Sequence, residues 1–406
     1  MIVFVQMVGA SMIFPILPLF AQREFGLAPQ AITLLSTSFF AAQFLAGPYL
    51  GRLSDRHGRI PILIISQIGT AVSFFFIGAA QSALMLFAAR IVDGITGGNI
   101  IVAQAYVTDV TPREKRTESL GYIFAVFGIG IIIGPALGGV LASIFGPRIP
   151  YYFAAGVAML TVILTWFTLD ETLTPEQRAA NRQARQSNLN PTQLVRNIPL
   201  VAILGIAFMG QFAFGMMQST FALYAEARLF PGLDDRTIDL GVGMLLAAVG
   251  LGQLLTQTFL LRPLLRRYGE IGLVTMGTIS RAFAMLLYAI VTSPWLGAIG
   301  SLFFAAGMGL TMPPLQSLTT TVVDDDIRGG ILGVFQSITS LGIILSTAIA
   351  GLIFAITPTA PYWLGATLTF LLLLPVFYLR RVPAIAQTVP QPGAARKVAE
   401  DSNPRS

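Results

Sequence analysis

Stretches of about 20 mainly apolar residues recur along the whole chain, and that is the length an α-helix needs to cross the hydrocarbon core of a bilayer. They fall near residues 2–20, 32–51, 61–80, 84–106, 120–142, 151–169, 199–221, 240–261, 271–291, 295–316, 329–355 and 361–379. Backbone polar groups in hydrocarbon must be satisfied within the segment, so runs of this kind are read as helices. Charged residues make up 11% of the 406 residues, against roughly a quarter in soluble domains. The predicted fold class is an all-α membrane protein of twelve transmembrane helices, with the lipid bilayer as its first partner.

The basic residues report topology. With the N-terminus inside, nineteen of the 25 Lys and Arg fall on the cytoplasmic side and four outside, namely Arg23, Arg148, Arg228 and Arg236. That asymmetry places both termini in the cytoplasm of a cell whose inner membrane holds the chain. Because the basic residues sit in short loops and form no single patch, nucleic acid is excluded as a partner despite a pI near 9.8. The first span lacks the basic flank and small-residue site of a cleaved signal. It begins almost at Met1, so a short cytoplasmic lead is expected before it. The chain has no Cys and one His, His57, which excludes thiol chemistry, disulfides and His/Cys metal sites; no cofactor is expected. No nucleotide-binding loop or catalytic constellation is present, so neither an enzyme nor an ATP-driven pump is expected.

A polar stretch from Asp170 to Asn197, with Pro175, Pro191 and four Arg, separates six spans from six. The expected domains are therefore a six-helix bundle over 1–169, a cytoplasmic linker over 170–198, a second bundle over 199–379 and a disordered tail over 380–406. The halves are related. Residues 97–139 laid on 309–351 without a gap share twelve identities, among them Gly97/Gly309, Gln104/Gln316, Arg116/Arg328, Gly130/Gly342 and Gly139/Gly351. Two pseudo-symmetric bundles are the parallel-repeat pattern of transporters that rock about a midplane site.

Between spans 2 and 3 lies Gly51-Arg-Leu-Ser-Asp55-Arg56-His-Gly58-Arg59. Its glycines permit a tight turn, and its charges can hold one conformation through inter-helix contacts. The second-half counterpart, Leu264, Arg267 and Gly269, lacks the Asp. Span 5 carries Gly130-x-x-x-Gly134-Pro135-x-x-Gly138-Gly139, small residues whose spacing lets helices approach closely. Span 4 carries Arg90 and Asp93 one turn apart, ionisable groups that a membrane interior tolerates only if they pair or meet water. A second embedded arginine, Arg281, has no carboxylate in its own helix. Asp109, near the end of span 4, is read as a partner for Arg113 or Arg116, and Glu226 as a solvated acid at the end of span 7.

These motifs resemble those of the major facilitator superfamily. The loop matches its G-x-L-x-D-R-x-G-R pattern, the span 5 element resembles the antiporter signature of its drug:proton exporters, and span 4 resembles tetracycline and multidrug efflux proteins. The resemblance implies that Gly51, Asp55, Arg56, Gly58 and Arg59 form a conformational switch in which Asp55 docks on the start of span 11 near Gly329 and Gly330, where a helix dipole favours a negative charge. Gln6 stands where many tetracycline exporters carry Asp, which argues against tetracycline as substrate.

The expected function is a proton-coupled secondary exporter of small apolar or amphipathic compounds working by alternating access. Asp93 and Arg90 would couple protons to the small-molecule substrate. Gln6, Gln43, Gln211, Phe212, Met216, Gln218, Gln257, Arg281 and Gln336 are the candidate substrate contacts, combining amides with aromatic and thioether surfaces. The alternative is transport of an organic anion on Arg90 and Arg281, which outnumber Asp93.

Overall fold

The computed structural model describes residues 2–97, 99–111, 116–173, 191–323 and 327–386. Linker residues 174–190 and tail residues 387–406 lie outside them, as do the side chains of Gln6, Arg116 and Gly329. The helices in order are α1 Ile2–Phe25, α2 Pro29–His57, α3 Arg59–Gly78, α4 Ala83–Thr96, α5 Asn99–Val110, α6 Arg116–Phe145, α7 Ile149–Thr168, α8 Pro191–Arg196, α9 Ile198–Tyr224, α10 Asp235–Leu255, α11 Leu261–Ile290, α12 Pro294–Thr321, α13 Arg328–Phe354, α14 Ala360–Leu371, α15 Leu373–Leu379 and α16 Pro383–Ala386. Eight described stretches are long and apolar enough to cross a membrane. The longest, Asp235–Ile290, runs 56 residues, more than twice what one crossing needs.

Local chemistry sets the boundaries. α2 ends and α3 begins at Gly58, whose φ of 108° is open to glycine and strained for other residues. At the matching place in the second half Gly269 has φ 67° and breaks the Asp235–Ile290 run. The two glycines that the loop motif shares between halves therefore do the same backbone work. The single span expected over 84–106 is divided into α4 and α5 after Thr96. Gly97 weakens helix there by about 1 kcal/mol, and its N–H closes the end of α4 on the Asp93 carbonyl at 2.6 Å. Two π-helical turns, Ala225–Leu229 after α9 and Thr256–Leu260 between α10 and α11, have no counterpart in the expected pattern.

Packing repeats between the halves. α1 packs on α6 and α7, α3 on α4 and α7, and α2 on α4. In the same relation α9 packs on α13 and α14, α11 on α12 and α14, and α10 on α12. The two sets meet through α6 with α10 and α2 with α13, again a symmetric pair of contacts.

The span 5 glycines explain the closeness of α6. Gly130, Gly134 and Gly138 lie one above the other and face Met7, Ser11 and Met12 of α1; a methyl group on Gly134 would lie 1.9 Å from Ser11 Oγ. Ser11 in turn donates to the Gly130 carbonyl at 2.8 Å. Gly139 turns the other way, where a methyl group would lie 2.7 Å from the Asp239 carbonyl of α10, and Gly243 of α10 meets the Pro135 carbonyl. One glycine face thus holds α6 within its own half and another holds it against the opposite half.

Candidate functional site

A cavity of about 540 Å³ lies between α2 and α13. Its α2 wall is Phe40, Gln43, Phe44, Gly47, Pro48 and Gly51; its α13 wall is Gly333, Gln336, Ser337, Ser340 and Ile343; Gly97 and Gln104 complete it. Gln43 is held in place by donating from Nε2 to the Gly97 carbonyl at 3.0 Å. Gln336 and Ser337 stand exposed on the opposite wall. Above the cavity the same helices touch: Thr37 Oγ1 meets Thr347 Oγ1 at 3.0 Å, and the Gly351 N–H lies 3.1 Å from Thr33 Oγ1. α2 and α13 therefore meet at the Thr33 end and part toward the Gly51 end.

The Thr33 end is closed by charge. Arg23, at the end of α1, reaches Glu226 Oε1 at 3.0 Å, Asp239 Oδ1 at 2.9 Å and Asp235 Oδ1 at 3.4 Å. The Asp239 side chain is only 5% exposed and that of Arg23 18%. One arginine of the first half holds three carboxylates of the second. Glu226 is consequently an ion-pair partner across the halves, correcting the expectation of a solvated acid. The contact joins residues 203 positions apart, and no local sequence signal points to it.

Arg90 and Asp93 form a buried pair, Nη1 to Oδ2 at 2.6 Å, each residue 4% exposed. The spacing of three places both on one face of α4. The guanidinium lies over the Phe39 ring of α2 at 4.2 Å, a geometry that stabilises a desolvated cation. Arg90 also lines a second, small cavity of about 20 Å³ with Phe40, Gln218, Ser219 and Thr347. Phe40 lines both cavities, so the space beside Arg90 and the central space share one aromatic residue.

At the Gly51 end the loop charges form a network. Arg59, 7% exposed, donates from Nη1 to Asp55 at 2.6 Å and to Ser54 at 2.8 Å, and from Nε to Asp109 at 2.9 Å. Glu171 accepts the backbone N–H groups of Arg59 and Ile60 at 3.0 and 3.2 Å, satisfying free donors at the start of α3. Asp109 is therefore bound to Arg59. The expected partners Arg113 and Arg116 have side chains outside the described residues. Asp55 is paired with Arg59; the expected docking involves Gly329, whose contacts lie outside the described residues. A methyl group on Gly51 or Gly333 would meet only open space. Arg56 is exposed.

The first-half pattern is thus complete. A profile of the Major Facilitator Superfamily matches residues 1–234 and 229–403. The chain belongs to the major facilitator superfamily. It is 31% identical to the tetracycline resistance protein, class C, of Escherichia coli over 365 residues, 88% of each chain. It is 27% identical to multidrug resistance protein 1 of Bacillus subtilis (strain 168) over 367 residues, covering 90% of this chain and 91% of the relative. The fold is similar to that of the human organic anion transporter MFSD10 (TETRAN), with TM-score 0.66, 20% identity and 93% and 97% of the two chains covered. It is also similar to the nucleoside transporter NupG, with TM-score 0.77, 13% identity and 94% and 98% covered. Tetracycline and multidrug resistance relatives place this superfamily member in the drug-efflux branch, and its apolar helices make it a multi-pass integral membrane protein.

Within this superfamily member the expected substrate contacts divide. Gln43 and Gln336 line the central cavity, and Gln218 lines the small one beside Arg90. Gln211, Phe212, Met216, Gln257 and Arg281 line neither. Met216 is packed at 1% exposure, Gln257 is an exposed residue of a π-helical turn with its Cγ beside Gly309 of α12, and the side chain of Gln6 lies outside the described residues. Arg281 is 1% exposed. It donates to the Gly210 carbonyl of α9, lies 5.7 Å from the Phe304 ring centroid, and passes beside Gly307. Phe44, Pro48, Gln104, Ser337 and Ser340 are wall residues that sequence reasoning missed, because only the splay of α2 from α13 decides which of their faces is uncovered.

Proposed function

We propose that this chain is a proton-coupled secondary exporter of small apolar or amphipathic compounds. Its spans number twelve, counting α4 with α5, α14 with α15 and the Asp235–Ile290 run as two, and they form two six-helix bundles over 1–169 and 199–379 that rock about the central cavity. Both termini lie in the cytoplasm of the inner membrane, so the cavity opens inward and the Arg23 cluster closes the outer face. The observation that carries this reading is the buried Arg90–Asp93 pair beside a cavity sealed at one end only. Asp93 takes a proton from outside when the halves part at the Arg23 end and releases it inward, while Arg90 tunes its affinity through their contact.

Gly51, Asp55, Arg56, Gly58 and Arg59 set the balance between the two states. Gly130, Gly134, Pro135, Gly138 and Gly139 provide the close seams on which α6 turns. The organic-anion reading needs Arg281 in the cavity, and its burial behind Gly210 favours the amphipathic reading. Purified protein in liposomes tests the proposal: an imposed proton gradient drives a compound such as a lipophilic dye uphill, and collapse of the gradient releases it. Uphill flux that ignores the proton gradient refutes it.

A further inference from the structure

We infer that the substrate is carried in an uncharged form, so that each exchange moves net charge across the membrane. The inference rests on the proton-exchange reading and names the substrate class of the same cavity. Among the described residues its wall contains no ionisable side chain. Its polar groups are the carboxamides of Gln43, Gln104 and Gln336 and the hydroxyls of Ser337 and Ser340, set among Phe40 and Phe44. A volume of about 540 Å³ suits a drug-sized molecule.

The embedded charges nearby are paired or, for Arg281, sealed from the cavity. Asp93 is tied to Arg90 at 2.6 Å; Arg59 is tied to Asp55 and Asp109; Arg281 is sealed among Gly210, Phe304 and Gly307. Alternating access requires the cavity to close over its cargo. A carboxylate or ammonium enclosed there loses water and meets no counter-charge among the described wall residues, the costly case for a buried ion. Amide and hydroxyl groups can both donate and accept, so a neutral hydrogen-bonding edge is satisfied. An aromatic ring beside that edge meets the faces or edges of Phe40 and Phe44. The cargo class is therefore uncharged aromatic compounds with an amide, hydroxyl or carbonyl edge. A proton moving inward against a neutral molecule moving outward transfers one positive charge inward per cycle.

Transport of matched naphthalene derivatives bearing a carboxamide, a trimethylammonium or a carboxylate group tests this in proteoliposomes, with pH gradient and membrane potential imposed separately. The carboxamide member should be preferred by about a hundredfold or more, as expected for an ion desolvated without a partner, and a potential alone should drive it. Gln336→Glu, which places a carboxylate on the exposed wall, should gain the trimethylammonium member. Equal flux of an ionic member through the unaltered protein, absence of carboxamide flux, or carboxamide transport that responds to pH but not to potential would overturn the inference. Carboxamide counterflow driven by neither gradient would remove proton coupling while supporting the cargo class; uphill flux of only an ionic member driven by pH would do the reverse.

Discussion

Removing Arg23 should open the closed end. In Arg23→Gln the three carboxylates of Glu226, Asp235 and Asp239 keep their places but lose their shared cation. Exposed pairs contribute about 0.2–1 kcal/mol, and breaking a fully buried pair costs about 3–5 kcal/mol. Asp235 is 72% exposed and belongs to the first class; Asp239, at 5%, belongs to the second; Arg23 and Glu226, at 18% and 21%, stand between. A net loss of about 2 kcal/mol follows, and it falls on the closed state alone because parting the halves separates these groups in any case. At 1.4 kcal/mol per factor of ten, that is a shift of roughly 30-fold toward opening at this end. The chain has no cysteine, so a single reporter can be introduced without background. Thr347, fully buried at the contact with Thr37, is a suitable site. The rate at which a membrane-impermeant maleimide labels Thr347→Cys from outside should rise by about 30-fold in the Arg23→Gln background, and Arg23→Lys should restore part of the difference. A labelling rate changed by less than about twofold would refute the reasoning that this cluster holds the halves together.

Other perturbations separate packing from switching. Gly134→Val inserts bulk 1.9 Å from Ser11 Oγ and should lower thermal stability by about 1–3 kcal/mol, read as loss of monodisperse protein on heating. Gly139→Val presses on the Asp239 carbonyl of the opposite half; it should leave each half folded and raise outside labelling at Thr347→Cys, which a merely destabilised protein would not show selectively. Asp55→Asn should insert normally yet change turnover, since it weakens a half-exposed contact to Arg59; unchanged transport and labelling would remove its switching role. Cysteines at Ser82 and Thr292 should react only from outside and those at Thr117 and Asn190 only from inside; reversal at any two would overturn the proposed topology.

Hydropathy located the long apolar helices because hydrocarbon enforces both their length and their internal hydrogen bonding. The expected 199–221 and 295–316 fall within Ile198–Tyr224 and Pro294–Thr321. Where chemistry is local, side-chain pairing was legible too: Arg90 and Asp93, three residues apart, meet as spacing on a helix requires. Long-range partners were less so. Asp109 meets Arg59 from another helix, and Glu226 meets Arg23 across 203 positions; no periodicity encodes such contacts. Cavity lining was the least legible. Gln211 and Gln43 are both amides at mid-helix, and only the angle at which α2 leaves α13 puts the second on the wall.

The most direct test of the account is Asp93→Asn. The substitution keeps the shape of the side chain that meets Arg90 and removes its ability to carry a proton through a cycle of charge and neutrality. In proteoliposomes the variant should lose uphill accumulation driven by a proton gradient and keep exchange of substrate down its own gradient, because the cavity and the Arg23 cluster are intact. Full uphill, pH-dependent transport by Asp93→Asn would contradict the account and leave Asp93 as a packing partner of Arg90.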